Sequence, residues 1–234
     1  MMEADLIPVF DYEPQVEIPQ QASFWMPTED DIPDDEGIGG FRGVWMILNE
    51  PQDFTRRVVQ VESEYISLAD RVTKTVDEYE IAATVIEDGE SGSDVPDLLL
   101  SRLRDEAPEL LELAEDDERP LQGLELGVAG ISYSLSTIGA VPVASCRGHS
   151  GGWSELPVVC VAIDEQRCRW MQPLVEATGC GFHMSVGREE FLGIDAPSIQ
   201  HMNQLAQAVL SQFNGRTDLF DKWLDLDVID NRYG

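Results

Sequence analysis

The feature that most limits the fold is Pro157–Ile163, PVVCVAI, an apolar run with no polar alternation. A strand that is apolar on both faces has to lie inside a covered sheet. Asp164 follows immediately and suits a helix N-cap, because its carboxylate can accept from the first free N–H groups. The spacing predicts a helix from Glu165 to Thr178, stopped by Gly179, and a further strand over Gly181–Val186. Upstream, Leu121–Ile138 reads as a helix whose Gly127, Ala129, Gly130, Ser132 and Ser134 allow close packing on a sheet. Gly139 ends it and Val141–Ser145 reads as a strand. After Pro197 a last helix carries Ile199, Met202, Leu205, Val209 and Phe213 on one face. The order α-β-β-α-β-α from residue 121 predicts an α/β fold class, a small sheet with helices packed on it.

The first half has a different period. Val58, Val61, Tyr65, Leu68, Val72, Val76 and Tyr79 recur in steps of three and four, which predicts one long amphipathic helix over 53–86. A second helical segment, 97–115, carries Leu98, Leu99, Leu103, Leu110, Leu111 and Leu113, with Pro108 forcing a kink or restart. Residues 1–40 are rich in Pro and acid and read as an irregular arm that drapes over the domain or stays mobile. The organisation expected is an acidic arm (1–40), a helical region packed on the core (41–118), an α/β core domain (119–213) and an acidic-apolar tail (214–234).

Charge narrows the partners. Forty-five acidic residues face 15 basic ones, a net charge of −30. That repels nucleic-acid phosphates and anionic membranes. Two readings compete: an acidic surface kept by the whole proteome of a cell in high salt or with a high-GC genome, and an acidic face that binds a basic protein partner or mimics nucleic acid. No apolar run approaches the ~20 residues that span a bilayer, and the acidic start MMEADLIPVFDYEP lacks the form of a signal peptide. A cytoplasmic protein is expected. Cys146, Cys160, Cys168 and Cys180 are too few for a disulfide framework and read as reduced, buried thiols.

One polar loop stands out, Ser145-Cys146-Arg147-Gly148-His149, between two apolar strands. Arg147 offers a cationic fork for an anion. Gly148 lets the backbone turn or approach a ligand. His149 is an acid/base or hydrogen-bonding group near neutral pH. Cys146 beside Arg147 and His149 is a candidate nucleophile. Ser145, Trp153 and Ser185 complete the expected ligand contacts. The plain alternative is a tight connection in which Arg147 pairs with one of the many carboxylates. Cys146-x-x-His149 and Cys180-x-x-His183 are like-spaced and would offer a Cys₂His₂ zinc set. Against it, alternate side chains of a strand point to opposite faces, so the second pair need not converge. The chain has no GxSxG, GxGxxG or Walker motif.

Ala144-Ser145-Cys146-Arg147-Gly148-His149, the strand PVVCVAID, the following helix and Gly181-Phe182-His183-Met184-Ser185-Val186-Gly187 resemble the methyltransferase family that N-methylates the tRNA wybutosine precursor. That family carries a Ser-Ser-Cys-Ser-Gly-Arg loop and a Gly-Phe-x-x-Ser-x-Gly turn. The resemblance covers residues 119–188; Arg147 replaces its Ser and His149 its Arg, and the first 118 residues have no counterpart. It implies S-adenosylmethionine as cofactor and RNA as substrate. The expectation is a ligand-binding or catalytic protein using the 145–149 loop for an anionic or nucleotide-like small molecule. The alternative is a non-catalytic acidic interaction protein.

Overall fold

The computed structural model describes residues 6–22, 24, 50–88, 95–108, 121, 123–149, 154–184, 191–216 and 219–220. Among them the helices are α1 (Gln52–Val72), α2 (Val76–Asp88), α3 (Asp97–Glu106), α4 (Ala129–Thr137), α5 (Glu165–Ala177) and α6 (Ile199–Phe213). The strands are β1 (Val141–Cys146), β2 (Val158–Ala162), β3 (Gly181–Met184) and β4 (Leu192–Asp195). The sheet runs β1-β2-β4-β3 and every neighbouring pair is antiparallel. This is the small α/β fold that the second half of the sequence predicts.

The apolar run does hold a central strand. β2 is buried along its whole length between β1 and β4. Val159, Val161, Phe182, Leu192 and Ile194 form one core cluster with α4, α5 and α6. Each such side chain, fully buried, stabilises the fold by roughly 1.5–3 kcal/mol before entropy is counted. A second cluster lies among α1, α2, α3 and α4. α1 joins the two, with Val59 in the first cluster and Val58 in the second. Among the described residues, α1 therefore packs on the α/β core and carries α2 and α3 with it.

Several boundaries differ from the expectation, each for a local reason. The helix expected over 53–86 is two helices. Thr73 closes α1 through its hydroxyl to the Ala69 carbonyl (2.8 Å), and Thr75 opens α2 by accepting from the Glu78 N–H (3.1 Å). Glu78 in turn accepts from the Lys74 N–H (2.7 Å), a capping-box arrangement that outweighs the continuous stripe. α3 stops at Glu106, ahead of Pro108, and 109–120 lie outside the described residues. α4 starts at Ala129 instead of Leu121, because Gly123 and Gly127 adopt φ of 78° and 90°. β4 was not expected; it is four residues long and includes Gly193, which weakens its apolar signal. The strand expected over 181–186 is described only to Met184.

Residues 6–22 of the arm lie against the domain. The Leu6 N–H donates to Asp70 of α1 (2.6 Å), the Phe10 N–H donates to the Pro197 carbonyl (2.9 Å), and the Phe182 N–H of β3 donates to Gln15 O (2.7 Å). Gln172 of α5 then donates to Val16 O (3.2 Å). The arm thus clasps the outer edge of β3, a strand whose unpaired groups would otherwise invite association. At the other end, Phe220 packs edge-on against Trp170 (5.5 Å) under the Arg167 guanidinium. The rest of the tail lies outside the described residues.

Candidate functional site

The sequence-predicted loop sits where β1, an edge strand, leaves the sheet. A bulge decides which way its side chains point. Val141 pairs with Ala162 and Pro142 with Val161, but the next pair is Ala144 with Cys160, so Val143 is the extra residue. The added residue inverts the alternation beyond it. Ser145 pairs with Val159, whose face meets the helices, and Cys146 pairs with Val158 on the opposite face. Ser145 and Cys146 therefore do not share a site.

Beyond Cys146 the chain reverses at Gly148, whose φ is 93°. A Cβ there would lie 2.7 Å from Glu155 O and 2.9 Å from the Leu156 carbonyl carbon, so glycine is required by both conformation and space. The His149 N–H donates to Ser154 O (3.0 Å), which closes the loop. The reversal returns the His149 ring toward Cys146, and a third side chain meets them: Glu125, from the turn before α4. Glu125 Oε1 lies 3.0 Å from His149 Nε2, and Oε2 accepts the Arg147 backbone N–H (2.5 Å). The Gly148 N–H points at Cys146 Sγ (3.4 Å). One ligand atom each from Glu125, Cys146 and His149 falls within 4.8 Å of the others. Cys146 is 2 % exposed, whereas Glu125 and His149 side chains are each 36 % exposed, so the cluster has a buried sulphur and an open side.

Arg147 follows the plain alternative and pairs with carboxylates. Its side chain is 6 % exposed, with guanidinium nitrogens 3.4 Å from Glu80 and 3.2 Å from Glu87 of α2. The expected anion fork is spent inside the protein, tying β1 to α2. Pro8 and Phe10 of the arm close over it, leaving a cavity of about 10 Å³ bounded also by Tyr79 and Pro157, room for one water. Cys146 also departs from the nucleophile expectation. Burial pushes its thiol above the usual range; the Gly148 N–H lowers it, and the Glu125 charge raises it further. A protonated thiol is a poor nucleophile but becomes a thiolate when a metal displaces its proton.

The four-residue zinc set does not assemble. β1 and β3 are opposite edges of the sheet, three strand spacings or ~14 Å apart. Cys180 is buried in the helix-side core, while the His183 ring lies over Gly193 on the other face, with Nδ1 3.2 Å from Asp195 Oδ2. Asp195 also accepts from the Tyr12 hydroxyl of the arm. Cys146, Cys160, Cys168 and Cys180 are all buried, and no disulfide joins them. Trp153 and Ser185 lie outside the described residues. Glu125 is the residue that sequence reasoning missed, because it falls inside an expected helix; its signal is the flanking pair Gly123-x-Glu125-x-Gly127.

An open groove of about 670 Å³ between α1 and α6, bordered by Arg56, Gln60, Glu64 and Gln207, lies away from this loop and holds no Cys or His. No described helix is long and apolar enough to cross a membrane. No family model, no curated protein and no solved structure matches this chain.

Proposed function

We propose that the 145–149 loop, with Glu125, binds a zinc-class divalent transition-metal ion. The observation that carries the reading is the approach of three different ligand atoms, one S, one N and one O, to within 4.8 Å. Zinc takes thiolate, imidazole and carboxylate together, and three protein ligands leave a fourth position for water or substrate. The surroundings fit a metal better than an anion. The Gly148 N–H is aimed at the sulphur and supports a thiolate, and the Arg147 N–H orients the carboxylate. The only cation in the loop is turned away to Glu80 and Glu87. Co²⁺ titration tests this: wild type develops thiolate-to-metal charge transfer at one equivalent, and Cys146→Ser abolishes it. A featureless titration of the reduced protein overturns the reading.

The methyltransferase resemblance names a ligand to try on the same loop, S-adenosylmethionine. A ligand at 100 times its Kd adds about 2.7 kcal/mol of stability. A rise in melting temperature that needs His149 but survives Glu125→Gln supports that reading over the metal.

The second reading is an acidic protein that takes a basic protein partner. It rests on the net charge of −30 and on Arg147 being enclosed by two glutamates. Binding of that kind falls steeply with salt. An interaction unchanged between low and high salt rules it out.

A further inference from the structure

We infer that Glu62 of α1, held by Asn203 of α6, is a positioning residue for Glu125 at the metal site; the inference rests on the metal reading above. Glu62 is fully buried. Its Oε1 accepts from the Gly127 N–H (2.9 Å) and the Gly130 N–H (3.1 Å), and Oε2 accepts from Asn203 Nδ2 (2.7 Å). Asn203 is held in turn, donating to Val59 O (3.2 Å) and accepting from Gln207 (2.7 Å). These partners are uncharged amides. Burial pushes the Glu62 carboxyl up, and Asn203 with the backbone amides pulls it back only in part.

Such a group is a costly way to cap a helix. α4 has Val128 at its N-cap and no side-chain cap of its own, where a Ser or Asp would cap it without burying a charge. What a carboxylate arriving from α1 adds is a grip on the turn ahead of the helix. There, two carboxylates from other helices hold successive amides: Glu87 accepts from the Leu126 N–H (2.8 Å) and Glu62 from the Gly127 N–H. Glu125 is the next residue back, and its own carboxylate reaches across to Arg147 and His149. The fit is tight. A Cβ on Gly130 would collide with the Glu62 carboxylate, and one on Gly127 with Ile199. The exposed ligand thus stands on a turn held from beneath by two helices.

The test is a double-mutant cycle on Co²⁺ binding with Glu62→Gln, Glu125→Gln and both. Glu62→Gln keeps the side-chain shape and the oxygen that serves both glycines, but sets an uncharged N–H₂ against the Asn203 Nδ2 donor and so loosens the hold on the turn. Glu62 touches no ligand and acts through the turn, so the loss expected is at the lower end of the roughly 10–100-fold that a direct outer partner costs. The double variant should bind no more weakly than Glu125→Gln alone, since both changes remove one ligand. Wild-type affinity in Glu62→Gln, or losses that multiply in the double variant, overturns the inference. A cap that only stabilises α4 gives the multiplied pattern. Asn203→Ala, which leaves the carboxylate in place, gives the same pattern with a smaller loss should Glu62→Gln not fold. If wild type binds no Co²⁺, the metal reading fails by itself. Hydrogen exchange at the Arg147 amide then decides the positioning: faster exchange in Glu62→Gln with β2 amides unchanged supports it, and no change overturns it.

Discussion

The chain contains the spacing Cys-x-x-His twice, and the two copies end differently. In Cys146-Arg147-Gly148-His149 the backbone reverses through a left-handed glycine, and both side chains meet Glu125. In Cys180-Gly181-Phe182-His183 the backbone enters β3, so sulphur and imidazole fall on opposite faces of the sheet. Spacing sets how far apart two side chains are along the chain. The φ angle between them sets whether they converge.

The largest effect expected from this contrast is on metal affinity. Cys146→Ser lowers Zn²⁺ or Co²⁺ binding by at least about a hundredfold, beyond the usual cost of an outer partner, while Cys180→Ser and His183→Ala leave it unchanged. Isothermal titration of the three variants decides it; equal losses would mean the two pairs act together. Next comes Gly148→Ala, which forces a side chain into the left-handed region and against the Glu155–Leu156 backbone. It costs about 2 kcal/mol of folding stability, read by denaturant midpoint, and weakens metal binding with it. Retained stability would show that the reversal is not what joins the first pair.

The buried thiol of the second pair gives a signal confined to high pH. Burial raises Cys180 from 9.0 to about 12, with Thr178 opposing. A group whose folded pKa is raised holds its full contribution below the unfolded pKa and loses it as pH climbs through the folded one. Wild-type stability should therefore fall between pH 9 and about 12, by up to about 1.4 kcal/mol per unit from this thiol. Cys180→Ala, compared with wild type across the window, removes that slope. A parallel pair of curves would show that the thiol does not titrate against burial. The least effect belongs to His183→Ala. A partly exposed pair with Asp195 is worth under about 1 kcal/mol, and a larger loss of melting temperature would promote the β3 edge to a structural anchor of the arm.

Much of the second half was legible because its signals are local. The unbroken run of β2, the Asp164 cap that accepts from the Arg167 N–H (2.7 Å), and the stripe of α6 all act within a few residues. The break between α1 and α2 was written as Thr75-x-x-Glu78, yet the longer stripe hid it. The site was half legible. Cys146 and His149 stand in the loop, but Glu125 arrives from 24 residues away, and Arg147 is claimed by α2.

The sequence by itself determined the α/β class, the central strand, the cap and stripe of its helices, and the position of the polar loop. These follow from periodicity and from short-range hydrogen bonds, which a one-dimensional string records. Only the tertiary structure decided what the loop holds. The bulge at Val143 turns Cys146 away from the helices, Gly148 folds His149 back, and a turn gripped by Glu62 and Glu87 delivers Glu125. Which carboxylate, out of 45 acidic residues, reaches a given imidazole depends on how separate elements pack, and no local pattern encodes that distance.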